Sequence, residues 1–174
     1  MSISEAADLQ ISLATTQDLV LVHELIERCY RGESAREGWT HEADLLFDAR
    51  TDIAALEGII ADPQSHLLVA RLKGLPVGCV QISNRGNARS YLGLLCIRPD
   101  LQAGGLGRQL IAEAETQAHT LFNAHVMTMS VIEQRKELIA YYMRRGYAPT
   151  GRRLDFVIPL DPPLFMTELA KALA

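Results

Sequence analysis

The spacing of the apolar positions changes within the first thirty residues. Residues 9–13 alternate apolar and polar side chains, which is the pattern of a strand with one buried face. From Leu19 onward, apolar side chains recur every three or four positions, as they do on one face of a helix. The hydroxyls of Thr15-Thr16 stand just before that stretch and could cap it. The pattern predicts a strand followed directly by a helix that ends near Arg31-Gly32.

The middle of the chain carries a short helical pattern and then three strand patterns. Residues 51–61 are predicted to be helical, and Asp62-Pro63 ends that helix because a residue before proline is disfavoured in helical conformation. Strands are predicted at 66–72, 77–83 and 90–97, separated by turns rich in glycine and asparagine. The last of these strands is an almost continuous apolar run, which predicts a central strand covered on both faces.

A long amphipathic helix is predicted after a glycine-rich loop. Its apolar stripe has helical spacing and consists of Leu106, Leu110, Ala114, Ala118 and Leu121. The polar residues Arg108, Glu113 and Glu115 are expected on the outer face of this helix.

The last part of the chain continues with a strand over 126–132 and a helix over about 134–145. Gly146 is expected to end that helix in the left-handed conformation. Two strands, around 147–154 and 164–171, close the chain. The order βααβββαβαββ, without a repeat or linker, predicts one α/β (α+β) domain of residues 1–174 with a mixed sheet.

Composition and charge narrow the class of protein. The chain has 174 residues, 48% of them apolar and 22% charged, and no apolar run has the length of a membrane span. The first ten residues lack the basic and apolar regions of a signal peptide, which predicts a cytoplasmic protein without a membrane partner. The net charge of −4, with both signs interspersed, argues against nucleic acid as a partner.

The cysteines and histidines give no sign of a disulfide framework or a metal site. Cys29, Cys79 and Cys96 are scattered and odd in number, which predicts reduced thiols. Cys96 lies within the buried apolar run, so we expect a core thiol rather than a nucleophile. The five histidines lack metal-ligand spacing, and no metal is expected.

The chemistry of the chain is concentrated where a buried strand ends at Arg98-Pro99 and a helix follows the glycine-rich loop. Unpaired amides and the dipole make a helix N-terminus attractive to anions, and glycines let a phosphate approach the backbone. A Gly-Gly pair alone is more often only a turn. The loop lacks the Gly-Lys-Ser/Thr ending of a nucleotide P-loop and the third glycine of a dinucleotide site. The buried strand before the glycines and the amphipathic helix after them favour an anion site over a plain turn. The sequence therefore predicts an anion cradle over residues 102–107.

The pattern Arg98-Pro99-x-x-Gln102-x-x-Gly105-x-Gly107-Arg108 resembles the acyl-CoA loop of the GNAT acetyltransferase superfamily. Residues 137–147 look like the late helix of that family, in which a tyrosine stands four residues before a Gly-aromatic pair, and Tyr142 has this position. The predicted element order is similar to the family's fold over essentially the whole chain. Residues 36–43, together with Arg50-Thr51-Asp52, also look like a bacterial subgroup of the family.

The resemblance implies a mixed, mostly antiparallel sheet and an N-acyltransferase that uses acetyl-CoA. An acetyl group would pass directly to a primary amine of a small molecule or peptide. Tyr142 would protonate the departing thiolate, since a thiol with a pKa of about 8.5 and a phenol with a pKa of about 10 are roughly matched. The alternative to this catalytic role is that Tyr142 only packs in the core. The implied cofactor-binding residues are Leu95, Cys96, Ile97, Gln102, Ala103, Gly104, Gly105, Leu106, Gly107, Arg108 and Arg135.

Two of these residues depart from the family's pattern. Arg135 stands where relatives often have an asparagine, and it could equally be a surface residue of the helix. Ala103 replaces a common glycine, for which Gly104 could compensate. Amides of residues 95–97 would pair with the pantetheine arm and stabilise negative charge on the thioester oxygen.

The acceptor side and the general base are less defined. Arg36, Trp39, Glu42 and Arg50 are the candidate acceptor-binding residues, and a guanidinium there suits an amine that also carries a carboxylate. Relatives often place a glutamate on the fourth strand, but residues 90–97 contain no acid. The general base therefore stays open among Glu24, Glu33, Glu42 and Glu133.

Two further points stay open at this stage. A non-catalytic acyl-CoA-binding sensor or scaffold is the alternative to an enzyme, because a cradle supports binding without turnover. A homodimer is one oligomeric state that the sequence allows.

Overall fold

The computed structural model describes residues 9–30 and 50–174. In these residues the helices and strands follow the predicted order βααβββαβαββ, which is confirmed. The elements are β1 (Leu9–Leu13), α1 (Leu19–Tyr30), α2 (Ile53–Ala61), β2 (Ser65–Leu72), β3 (Leu75–Gly86), β4 (Arg89–Ile97), α3 (Leu106–Phe122), β5 (Val126–Ile132), α4 (Lys136–Met143), β6 (Ala148–Asp155) and β7 (Phe165–Ala172).

The strands of the described residues form one seven-stranded sheet in the order β1-β2-β3-β4-β5-β7-β6. All neighbouring strands are antiparallel except β4 and β5, which are parallel. The expected mixed, mostly antiparallel sheet with flanking helices is confirmed. The last strand, β7, lies between β5 and β6, so the C-terminal segment is part of the sheet's interior.

The core lies on both faces of the sheet. One cluster of buried side chains includes residues of α3 and α4, and the other includes residues of α1 and α2. Strand β4 contributes Leu92 and Ile97 to the first cluster, and Leu94 and Cys96 to the second. The prediction that this apolar strand is central and covered on both faces is therefore correct.

The apolar stripe of α3 differs from the prediction in its last turn. Leu106, Leu110, Ala114 and Ala118 are buried, but Leu121 is 48% exposed. Phe122 takes the inward position instead, four residues after Ala118, and its ring stacks on His66 with the centroids 5.4 Å apart.

Glu115 was expected on the outer face of α3 and is half-buried instead. Its carboxylate accepts hydrogen bonds from the hydroxyl of Tyr147 at 2.9 Å and from Nζ of Lys171 at 2.7 Å. Glu115 is drawn inward because these two donors come from the segment after α4 and from β7, both of which pack beside α3.

Helix α4 is shorter than predicted. Arg135 has a non-helical backbone, so the helix begins at Lys136. Gly146 has a φ of 92°, the left-handed conformation that was expected after this helix. None of the helices within residues 9–30 and 50–174 is long and apolar enough to cross a membrane.

Candidate active site

The sheet opens between its two parallel strands. Strands β4 and β5 pair only over Arg89–Tyr91 and Val126–Thr128. Beyond these residues both strands continue, to Ile97 and to Ile132, without further pairing to each other. Within the described part of the chain, one edge of β4 is therefore free of a strand partner along its second half, and a gap opens within the sheet.

A β-bulge in β4 accompanies this separation. Gln81 pairs with Gly93 and Cys79 with Cys96, so Leu94 and Leu95 together oppose one residue of β3. Leu94 has a φ of 47°, which is rare for a bulky side chain. A bulge bends a strand, and here it turns Leu94 to the face opposite Leu92. The sequence contains no signal for this bulge beyond the neighbouring glycine.

The gap contains a cavity of about 440 Å³, called here the larger cavity. Apolar side chains of β4, β5, β6 and the segment 156–160 line most of it. Among residues 9–30 and 50–174, the charged side chains that line it are Arg50, Arg135 and Asp155.

A smaller cavity of about 50 Å³ lies beside the start of α3. Cys96, Ile97, Gln102, Gly107 and Tyr141 line this cavity alone. Four residues line both cavities, which therefore adjoin, and we call this set the junction: Tyr30, Leu95, Leu138 and Tyr142.

The glycine-rich loop forms a helix N-terminus as predicted. Residues 99–104 make a 3₁₀ turn, and Gly105, with a φ of 78°, joins this turn to α3 at Leu106. The side-chain amide of Gln102 donates to the Ile97 carbonyl at 3.2 Å and ties the loop to β4. The first amides of α3 belong to residues 106–108 and have no acceptor within the helix, which leaves them to bind an anion.

Gly107 lies close to a side chain of α4. A Cβ atom at this position would lie 2.7 Å from the hydroxyl oxygen of Tyr141. Real Cβ atoms do not come so close to another heavy atom. The absence of a side chain at Gly107 thus allows α4 to pack against the beginning of α3.

Tyr142 lies at the junction, with only 6% of its surface exposed. Its ring makes edge contacts with the rings of Tyr141 at 5.6 Å and Tyr147 at 6.0 Å between centroids. Adjacent helical residues point about 100° apart, and accordingly Tyr141 lines only the smaller cavity.

The free edge of β4 is held by side chains. The Leu95 carbonyl accepts a hydrogen bond from the Tyr30 hydroxyl, and the Ile97 carbonyl accepts one from Sγ of Cys29 at 3.2 Å. Cys96 is 3% exposed, and its sulfur lies 3.5 Å from that of Cys79.

The buried thiols beside this edge stay protonated. A hydrogen bond with Cys96 and burial raise the pKa of Cys29 far above its usual range. The bond with Cys29 lowers the pKa of Cys96, but contact with Cys79 and burial outweigh it and raise that pKa. Neither thiol has the low pKa of a cysteine nucleophile.

The sequence-predicted residues fall into three groups. The segments 95–97 and 102–108 come together around the smaller cavity and the start of α3, with Ala103 and Arg108 exposed. Arg135 lines the larger cavity and not the smaller one. Arg36, Trp39 and Glu42 lie outside the described residues.

Arg50 lines the larger cavity and is fixed to α1. Its guanidinium lies over the Tyr30 ring, 5.1 Å from the centroid, and its backbone amide donates to the Glu27 carboxylate at 2.7 Å. The sequence did not single out Glu27 or Tyr30, because their roles depend on contacts with segments far away in the chain.

Of the acids proposed as general base, Glu24 and Glu133 are in the described part of the chain, and neither lines a cavity. Glu133 binds Arg153 through two hydrogen bonds of 2.6 and 2.9 Å, and that contact lowers its pKa. Glu24 is exposed on α1 and lines neither cavity, and Glu33 lies outside the described residues. Asp155 is the acid among the described lining residues, and no pattern in the sequence indicated it.

Comparisons with known proteins identify the family. A model of the acetyltransferase (GNAT) domain matches residues 35–156. Peptidyl-lysine N-acetyltransferase YjaB of Salmonella typhimurium is 29% identical over 126 residues, covering 70% of this chain and 79% of that protein. The structure of yncA from Salmonella typhimurium with its cofactor acetyl-CoA is 18% identical, with a TM-score of 0.70 over 95% of this chain and 94% of that chain. Spermidine/spermine N-acetyltransferase SpeG of Vibrio cholerae is 16% identical, with a TM-score of 0.69 over 96% and 94%.

The family model covers well over half of the chain, which therefore belongs to the GNAT acetyltransferase family. The protein is an N-acetyltransferase that uses acetyl-CoA. The predicted family, fold class and enzyme class are confirmed. The relatives' names give different acceptors, a peptidyl lysine and a polyamine, so membership does not define the acceptor.

The protein's own groups fit acetyl-CoA. The first amides of α3 have no acceptor within that helix and could take a diphosphate, and the edge of β4 that faces the gap leads from there to the junction. No group of three or more His, Cys, Asp or Glu side chains within residues 9–30 and 50–174 is placed to hold a metal ion.

Proposed function

We propose that acetyl transfer takes place at the junction, directly from acetyl-CoA to a primary amine of a small molecule or peptide. The observation that carries this proposal is that two cavities adjoin at Tyr142 and Leu95. One cavity reaches the start of α3, and the other is wide enough for an acceptor. Two substrates entering from opposite sides would therefore meet at one point.

Acetyl-CoA would bind with its diphosphate at the amides of residues 106–108. Its pantetheine arm would run along the free edge of β4, where residues 95–97 offer backbone groups. Arg108 is exposed beside the diphosphate position and would add positive charge. Arg135 lines the larger cavity and not the smaller one, so we assign it to the acceptor instead of the pantetheine arm for which the sequence proposed it.

Tyr142 would act as the general acid. When the amine attacks the thioester carbon, the C–N bond forms and the C–S bond breaks, and the departing thiolate needs a proton. A protonated phenol at the junction can supply this proton, since the pKa values of phenol and thiol differ by only about 1.5 units. As the amide forms, the nitrogen releases one proton to water, and the phenolate takes one proton back from water, so the protons balance.

The acceptor would be an amine with apolar or anionic groups rather than a polycation. Counting only the described residues, the larger cavity has mostly apolar walls and presents two arginines, Arg50 and Arg135, against one acid, Asp155. A polyamine would meet net repulsion there, whereas a carboxylate would be attracted to a guanidinium. The name of YjaB supports a peptide lysine as one acceptor of this kind. A cytoplasmic location and a homodimer remain predictions from the sequence.

Titration calorimetry with acetyl-CoA, followed by thiol release against a panel of amines, tests this function. The panel pairs amines with and without a carboxylate, and includes lysine peptides and spermidine. We expect micromolar binding and amine-dependent thiol release, with spermidine the poorest acceptor. Binding without release to any amine would favour the sensor or scaffold alternative, and spermidine as the best acceptor would contradict the assignment of the cavity.

A further inference from the structure

Tyr30 lies at the junction from the side opposite α4. It is the last residue of α1 and lines both cavities together with Leu95, Leu138 and Tyr142. The junction thus contains two phenols that come from different helices. Only Tyr142 has a role in the function proposed above.

The hydroxyl of Tyr30 uses its one proton in a hydrogen bond within the protein. It donates a hydrogen bond to the Leu95 carbonyl at the β4 bulge. A neutral phenol has one proton to donate, so its oxygen is left with lone pairs that can only accept. An amine is a suitable donor for such an oxygen, whereas a thioester carbonyl is not.

The ring of Tyr30 is fixed by its neighbours. The guanidinium of Arg50 lies over it, 5.1 Å from the centroid. Arg50 is held by Glu27, which lies one helical turn before Tyr30 in α1. The Glu27 carboxylate accepts hydrogen bonds from the backbone amides of Arg50 at 2.7 Å and Thr51 at 2.9 Å. His23 adds a contact of 3.0 Å between Nε2 and the Thr51 carbonyl. A side chain held in this way can orient a small group without a large loss of entropy.

We propose that the hydroxyl oxygen of Tyr30 accepts a hydrogen bond from the acceptor amine and directs its lone pair at the thioester beside Leu95. This inference rests on the proposed function, because it names a group that binds the acceptor at the same junction. The nitrogen gains positive charge as it attacks, and an oxygen that accepts its N–H stabilises that charge. Tyr30 then orients the attacking nitrogen, while Tyr142 protonates the departing sulfur.

A purely structural role for Tyr30 makes a different prediction. If its hydroxyl only holds the bulge, its loss would disturb the free edge of β4, which is the edge assigned to acetyl-CoA. Acetyl-CoA binding and acceptor use would then weaken together.

The variant Tyr30→Phe separates these two roles, because it keeps the ring beneath Arg50 and removes only the hydroxyl. We expect kcat/KM for the acceptor to fall roughly 10- to 100-fold, the range for losing one hydrogen bond to a group that becomes charged. The Kd of acetyl-CoA, from titration calorimetry, should stay within about twofold of that of the unaltered protein.

Tyr147→Phe is the matched control, since it removes a buried tyrosine hydroxyl that bonds Glu115 and lines neither cavity. It should lower the melting temperature and leave acceptor KM unchanged. A parallel loss of acetyl-CoA binding in Tyr30→Phe, or an unchanged kcat/KM, overturns the role of Tyr30. Absence of amine-dependent thiol release in the unaltered protein would instead refute the proposed function itself.

Discussion

Tyr142 shows how a residue's chemistry depends on what surrounds it. The phenol is almost fully buried, its ring is held between Tyr141 and Tyr147, and it lines both cavities. Such a group is held in one position but keeps access to the space where the substrates would meet. Burial also excludes water that would compete with it as a proton donor.

Replacing Tyr142 with phenylalanine tests its role as acid. We expect kcat for acetyl transfer to fall by roughly 10²- to 10⁴-fold, the usual contribution of general acid–base catalysis. The Kd of acetyl-CoA should change little, because the ring is retained. Stopped-flow thiol release and calorimetry on the same preparation provide both values. A kcat within threefold of that of the unaltered protein would leave Tyr142 as a core residue only.

At the scale of elements, the start of α3 depends on its contact with α4. Gly105 turns the chain into the helix in the left-handed region, and Gly107 makes room for the Tyr141 hydroxyl. The amides that would bind the diphosphate are thus kept in position by the packing of one helix on another, and not by the loop alone.

The variant Gly107→Ala should be destabilised and should bind acetyl-CoA less tightly. The added methyl group would meet the Tyr141 hydroxyl, and overpacking of this kind costs about 1–3 kcal/mol. Adding Tyr141→Phe removes the oxygen and leaves the nearest ring carbon 3.8 Å from the methyl position. The double variant should therefore recover most of the lost stability in urea unfolding. If it is as unstable as Gly107→Ala alone, this contact is not the cause.

The sequence predicted these elements well and their mutual contacts poorly. Local signals define a helix start such as that of α3, with its proline, glycines and apolar stripe. The bulge at Leu94, the inward position of Phe122 and the arrival of Tyr30 at Leu95 depend instead on pairing and packing between distant segments. No local pattern encodes such contacts, which explains why Tyr30 and Asp155 were missed.

At the scale of the whole molecule, Glu115 joins three separate parts of the chain. Its carboxylate on α3 receives the Tyr147 hydroxyl, which follows α4, and the ammonium of Lys171 on β7. Burial, together with the Glu115 carboxylate, raises the pKa of Tyr147 well above its usual range, so the phenol remains a donor. This network fastens the C-terminal strand to the helix that begins at the glycine-rich loop.

Removing Glu115 should therefore weaken the whole fold. Glu115→Ala leaves two donors without their acceptor, and we expect a loss of about 2–3 kcal/mol in the free energy of unfolding in urea. Glu133→Ala, which breaks an exposed ion pair with Arg153, is the comparison and should cost clearly less. Equal losses of unfolding free energy in the two variants would mean that the Glu115 network stabilises the fold no more than an exposed ion pair does.

The central claim is that both substrates meet where β4 and β5 separate. A crystal structure of the protein with acetyl-CoA tests it most directly. We predict the diphosphate within hydrogen-bonding distance of the amides of residues 106–108, and the sulfur between the two strands beside Tyr142. A pantetheine arm that runs outside the gap, or a sulfur remote from Tyr142, would contradict the account.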